Sequence, residues 1–271
     1  MEQDIRLAVL IDGDNIPSAY VREMMEEIAK YGNPTIKRIY GDWTRPGLAK
    51  WKDLLLEHAI QPIQQYGYTT GKNATDSAMI IDAMDVLYSE KVDGFCIVSS
   101  DSDFTRLATR LREAGMRVYG IGEKKTPKPF IVACDKFIYI EILKPAKESN
   151  KKSTLLPDKK IKKWEPNPPS PLYQGGIETI TDTQPLGASV DVITPELIRL
   201  ISATIYDLSG DDGWAFLGDV GTLLQKKQPN FDPRNYGFNK LTPLLASTGV
   251  FDIMEREWGS SRYKILYVRN K

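Results

Sequence analysis

Runs of apolar residues alternate with helix-spaced apolar positions along the first half of the chain. Arg6–Ile11 is an apolar run ending in Asp12-Gly13-Asp14-Asn15, which predicts a buried strand feeding a turn. A helix follows from Pro17 or Ser18 to about Lys30, closed by Gly32-Asn33-Pro34. Further strands are predicted at Thr35–Tyr40, Ile60–Tyr66, Gly94–Ser99 and Arg117–Ile121. Helices fall between them at Gly47–Glu57, Thr75–Tyr88 and Asp103–Ala114, and a last short helix and strand occupy Pro129–Ile142. Strand alternating with helix implies an α/β fold, a parallel sheet covered on both faces in doubly wound order.

The rhythm stops at residues 144–188, where prolines punctuate lysine, serine and glycine and apolar residues stand alone. Such a stretch buries too little surface to offset its ordering entropy and reads as a linker. The pattern resumes at Val190. Thr194-Pro195-Glu196 is a helix start, and Leu197, Ile198, Ile201, Ile205 and Leu208 share one face. Helices at Leu217–Lys227 and Tyr236–Thr248 follow, then strands Val250–Glu255 and Tyr263–Val268 joined through Gly259-Ser260-Ser261. Three helices and a hairpin describe a winged helix. The expected organisation is an α/β domain at 1–143, a linker at 144–188 and a winged-helix domain at 189–271.

Composition narrows the chemistry. The 271 residues carry 36 Lys+Arg and 36 Asp+Glu, a net charge of zero that hides an uneven distribution. Residues 1–143 hold 18 basic and 21 acidic side chains, residues 144–163 hold eight lysines against Glu148 and Asp158, and residues 164–271 hold 10 basic and 13 acidic. No apolar run is long enough for a membrane span, and Met1-Glu2-Gln3-Asp4 is not a signal peptide. Cys96 and Cys134 make no disulfide framework, so a reduced, cytoplasmic chain is expected. With His58 the single histidine, His-rich metal sites are excluded and a Ser-His-Asp or Cys-His triad is disfavoured. Catalysis must rest on carboxylates, lysines or backbone.

Four acids recur where a parallel sheet presents ligands. Asp12 ends the first strand, and Asp101 and Asp103 follow the fourth in Ser99-Ser100-Asp101-Ser102-Asp103-Phe104. If those strands are neighbours where strand order reverses, the three acids converge. Asp76 joins them by helical phase: it falls on the stripe of Met79, Ile80, Ala83, Val86 and Leu87, in the first turn, where a carboxylate needs a partner or a cation. Asp82 lies off that line. Each acid also has an ordinary use, as a helix cap, an Asx turn or a first-turn carboxylate. Together they repel one another, and the usual remedy is Mg²⁺ or Mn²⁺ on oxygen ligands. Aspartates around such an ion suit phosphodiester chemistry. There is no G-x-x-x-x-G-K-[ST] loop, and Gly120-Ile121-Gly122 lacks the third glycine of a dinucleotide fingerprint. A phosphatase using Asp12 as nucleophile remains open, as does a binding protein whose acids are structural.

The Asp12-Gly13-Asp14-Asn15 turn, Lys72 with Asp76, and the Ser99–Phe104 run resemble the NYN domain of the PIN-like nuclease superfamily over about residues 5–142. The resemblance implies a PIN-like α/β/α sandwich and a metal-dependent ribonuclease, endonucleolytic by expectation. It further implies Asp12, Asp76, Asp101 and Asp103 as Mg²⁺ or Mn²⁺ ligands, with Asn15 positioning Asp12 or the phosphate. Phe231-Asp232-Pro233-Arg234-Asn235-Tyr236-Gly237-Phe238 and the residues after it resemble an OST-HTH (LOTUS) domain, which implies RNA or a protein as partner. Arg45, Lys50, Lys72, Lys124, Lys125 and Lys128 follow strands and are placed to hold phosphates of single-stranded or structured RNA, with Trp43, Tyr66 or Tyr68 as stacking surfaces. Any one of them is equally at home as a surface charge or a core aromatic. Lys226, Lys227, Arg234 and Lys240 suggest a second basic patch.

Overall fold

β1 (Arg6–Asp12) sends Leu7, Val9 and Ile11 to one face and Ala8 and Leu10 to the other, and all five are fully buried. A strand buried on both faces needs helices on both. The structure, a computed structural model, describes residues 5–66, 74–143, 190–257 and 264–271 and supplies them. α1 (Val21–Ile28) and α2 (Lys52–Glu57) pack Val21, Met24, Ile28 and Leu55 against the Leu7 face. α3 (Ala74–Tyr88), α4 (Thr105–Glu113) and α5 (Lys128–Ala133) pack Met79, Ala83, Leu107, Leu111 and Phe130 against the Ala8 face.

β2 (Asn33–Gly41), β3 (Gln61–Gln64), β4 (Gly94–Val98), β5 (Arg117–Gly122) and β6 (Lys136–Tyr139) complete a six-stranded parallel sheet in the order β3-β2-β1-β4-β5-β6. Strand order reverses at β1, which is hydrogen-bonded to both β2 and β4. A doubly wound sheet opens a crevice at the carboxyl ends of its strands at such a reversal. Cys96 and Cys134 are both buried and free. No helix among the described residues is long and apolar enough to cross a membrane.

The second half builds α6 (Pro195–Leu208), β7 (Ala215–Phe216), α7 (Leu217–Lys227), α8 (Leu241–Thr248), β8 (Phe251–Glu257) and β9 (Lys264–Asn270). Thr194 caps α6 by accepting the Leu197 N–H at 3.3 Å. Two details depart from the sequence pattern. The helix expected from Tyr236 begins only at Leu241, because Pro233–Tyr236 form a separate 3-10 turn ended by Gly237 at φ 82°. That backbone region suits glycine and stops the turn. The strands form a three-stranded antiparallel sheet, β7-β9-β8, rather than a lone hairpin, since two-residue β7 is too short to show a period. The tract 144–188, Lys72, Tyr68 and the Gly259-Ser260-Ser261 turn lie outside the described residues. The described α/β and winged-helix residues belong to one compact unit.

Candidate metal centre

Because β1 and β4 are neighbours, the residues that follow them meet at one edge of the sheet. Asp12, the last residue of β1, is 1% exposed. Its Oδ2 accepts from Asn15 Nδ2 at 2.6 Å and from Ser99 Oγ at 2.8 Å, and its Oδ1 accepts the Asp14 N–H at 3.2 Å. The turn folds back onto β2, where the Gly13 N–H donates to the Tyr40 carbonyl at 2.9 Å. A Cβ at Gly13 would stand 2.9 Å from that same oxygen, so a side chain does not fit. Burial pushes the Asp12 carboxyl up, against hydrogen bonds from Asn15 and Ser99 that pull it down.

Beyond β4, Asp101 heads a short turn at Ser102–Phe104, with its Oδ1 accepting the Asp103 N–H at 2.9 Å. Ser99 Oγ in turn accepts the Asp101 N–H at 3.1 Å, so one hydroxyl links Asp12 to the Asp101 backbone. Asp76 enters from the first turn of α3. Carboxylate oxygens of Asp76, Asp101 and Asp103 all lie within 4.8 Å of one another. Burial, followed by repulsion from Asp12, Asp101, Asp103 and Asp14, pushes Asp76 up to about 6.

Of the four acids expected to gather, three meet this spacing, and Asp12 is the first neighbouring charge that Asp76 feels. Among the described residues, Asp12 is outside the mutually close group; its oxygens already serve Asn15, Ser99 and Asp14. Chemically the trio fits a hard divalent cation: every donor is a carboxylate oxygen, and the crowding felt by Asp76 is what such a charge relieves. Asp101 both caps its turn and faces the cluster, so the structural and ligand uses coexist.

Other sequence candidates fall elsewhere. Asp82 is engaged by Arg38 and Tyr40. Arg45 is exposed on the loop after β2, its Nε 3.4 Å from Asp42 Oδ2. Lys124 pairs with Asp191 at 2.8 Å and Lys125 with Glu123 at 2.5 Å. Trp43 packs on the core and donates its Nε1–H to the Ile63 carbonyl at 3.0 Å, whereas Tyr66 is 53% exposed. His58 is the C-terminal cap of α2. Of the cations expected to form a patch on the winged helix, Arg234 is tied to Glu27 and Asp232, and Lys227 to Asp207. Tyr236 and Phe238 pack on the winged-helix core. Ser99 was not among the residues singled out from sequence; a hydroxyl closing a wholly apolar strand is the signal that marks it.

Comparison with known proteins follows the same division. A model of the NYN domain matches residues 6–141, and a model of the OST-HTH/LOTUS domain matches residues 190–263. No curated protein matches the chain. Among solved structures, a Vibrio parahaemolyticus protein of unknown function is 18% identical, covering 52% of this chain and 95% of its own, with a TM-score of 0.45. An uncharacterized Nitrosomonas europaea protein is 35% identical, covering 35% of this chain and 90% of its own, with a TM-score of 0.29.

Proposed function

The chain belongs to the NYN domain family, and from that premise we propose that it is a divalent-metal-dependent ribonuclease. NYN is a PIN-like nuclease family, and OST-HTH domains bind RNA. The observation that carries the proposal is the mutual approach of Asp76, Asp101 and Asp103 at the strand-order reversal. In this reading these three hold Mg²⁺ or Mn²⁺. Bound there, such an ion supplies water activation and charge neutralisation at the leaving oxygen. Asp12, fixed by Asn15 and Ser99, would orient the neighbouring acids and add negative charge that favours a cation there. Ser99 ties that charge to the Asp101 backbone, so the β1 and β4 ends hold one geometry. Arg45, exposed at the same edge, takes a backbone phosphate, as does Lys72; Lys124 and Lys125, each paired with a carboxylate, contribute less to substrate binding.

The test is cleavage of linear and circular labelled RNA with Mg²⁺, with Mn²⁺ and with EDTA. Opening of the circle with Mn²⁺ and silence in EDTA is the expected result, and circle opening marks endonucleolytic attack. Turnover that persists in EDTA, or RNA binding without turnover in either metal, overturns the proposal.

A further inference from the structure

The helices of the NYN domain leave one corner of its sheet open. α1 and α2 cover the face carrying Leu7, but β6, the edge strand, is followed among the described residues by a short turn at Ile140–Ile142 and no helix of this domain. On that face Tyr31 stacks on Tyr119 at 5.0 Å, and Lys136 Nζ sits 4.9 Å above the Tyr31 ring. An uncovered edge strand presents free backbone groups to any passing chain.

Residues 229–236 of the OST-HTH domain occupy this corner. The Pro229 carbonyl accepts the Phe137 N–H at 3.0 Å, on the open side of β6. Asn230 Nδ2 donates to the Tyr139 hydroxyl at 2.8 Å. Arg234 donates to both oxygens of Glu27, at 3.0 and 2.8 Å, while its other N–H groups hold Asp232. Glu27, on α1, is only 3% exposed and also accepts from Lys30 and Tyr31. Farther along, the Asn235 carbonyl accepts the Asp191 N–H, and Asp191 pairs with Lys124 on the loop after β5. A buried carboxylate demands a fixed cation, and a two-pronged guanidinium is its best geometric match.

We propose that the Pro229–Tyr236 run is in this chain an intramolecular dock whose partner is the β6 edge and α1 of the NYN domain. The OST-HTH domain thereby serves as the missing cover of the sheet. RNA or protein taken from outside meets another face of the winged helix, since the dock is already filled. This inference stands whether or not the acid cluster turns over RNA.

Amide hydrogen exchange on the full chain tests it, reading the β6 segment around Phe137 against the β1 segment Leu7–Ile11. In Arg234→Ala, and less strongly in Asn230→Ala, β6 exchange accelerates, by on the order of tenfold in the first, while β1 keeps wild-type protection. A carbodiimide cross-link between Lys124 and Asp191 forms in the wild type and declines in Arg234→Ala. Wild-type-like β6 exchange in both variants, or no such cross-link in the wild type, overturns the proposal. If Arg234→Ala also loses β1 protection, Asn230→Ala decides by the same two readouts.

Discussion

Asp76 and Glu27 are both carboxylates drawn out of water, and their surroundings move them in opposite directions. Burial and then the charges of Asp12, Asp101, Asp103 and Asp14 push Asp76 up to about 6. Burial pushes Glu27 up as well, but Arg234, Lys30 and Tyr31 outweigh it and hold Glu27 at about 2. The same cost of withdrawing charge from water has been met in two ways. Glu27 is completed by cations from its own chain and has a structural role. Asp76 is crowded by anions, and in the proposed function a cation from outside completes it. The two acids thus take opposite shifts, Glu27 inside a clasp and Asp76 at the proposed ligand site.

The contrast is easiest to break at the acid cluster. Asp101→Asn is expected to lower kcat/KM for RNA cleavage with Mn²⁺ by about 100-fold or more. Ser99→Ala, which only loosens Asp12 and the Asp101 backbone, should cost about 10- to 100-fold. If Asp101→Asn cleaves as well as the wild type, the cluster is no ligand site and the comparison with Glu27 collapses.

Thermal unfolding against pH sharpens it further. Asp76 has its folded value raised, so ionised Asp76 weakens the metal-free fold: stability is present at low pH and lost as pH rises through about 6. In EDTA the melting temperature should therefore climb from pH 7 to pH 5, and the climb should vanish in Asp76→Asn or with saturating Mn²⁺. Glu27 runs the other way. Its folded value is depressed, so its contribution holds above the ordinary value of 4.5 and is lost as pH falls toward 2. That contribution is up to about 3 kcal/mol, and Arg234→Met should remove most of it. A melting curve whose loss below pH 4.5 is the same in Arg234→Met would deny the clasp any stabilising role.

The smallest effects lie among the cations at the proposed catalytic edge. Arg45→Ala should weaken RNA binding by about threefold and reduce the salt slope by about one, the signature of a single phosphate contact. Lys125→Ala, whose ammonium is already paired with Glu123, should change affinity by less than about twofold. Equal losses in the two variants would show that the Glu123 pair does not restrain Lys125.

Much of the architecture was legible in residue order. The two-sided burial of β1 follows from its unbroken apolar run, and the doubly wound order follows from strand–helix alternation. Asp12 and Asp101 were marked by sitting at the ends of apolar strands, and Asp76 by helical phase. The same phase argument applied to α1 would have marked Glu27, one turn from Met24 and beside Ile28, as a carboxylate on a buried face. It would not have named Arg234, which lies 207 residues away and reads locally as part of a surface patch. Nor does periodicity show that Lys124 faces Asp191, or that the helix expected from Tyr236 yields to a turn at Gly237.

By itself the sequence determined most of the strands and helices of the α/β half, the two-sided burial of β1, the buried face of α3, and which acids stand at the strand ends. Those are local properties, set by side-chain spacing and backbone preference. Only the tertiary structure decided which charge meets which. It brought Asp76, Asp101 and Asp103 close together beside Asp12 and gave Glu27 its guanidinium, because electrostatic completion depends on distance in space and distance along the chain does not report it.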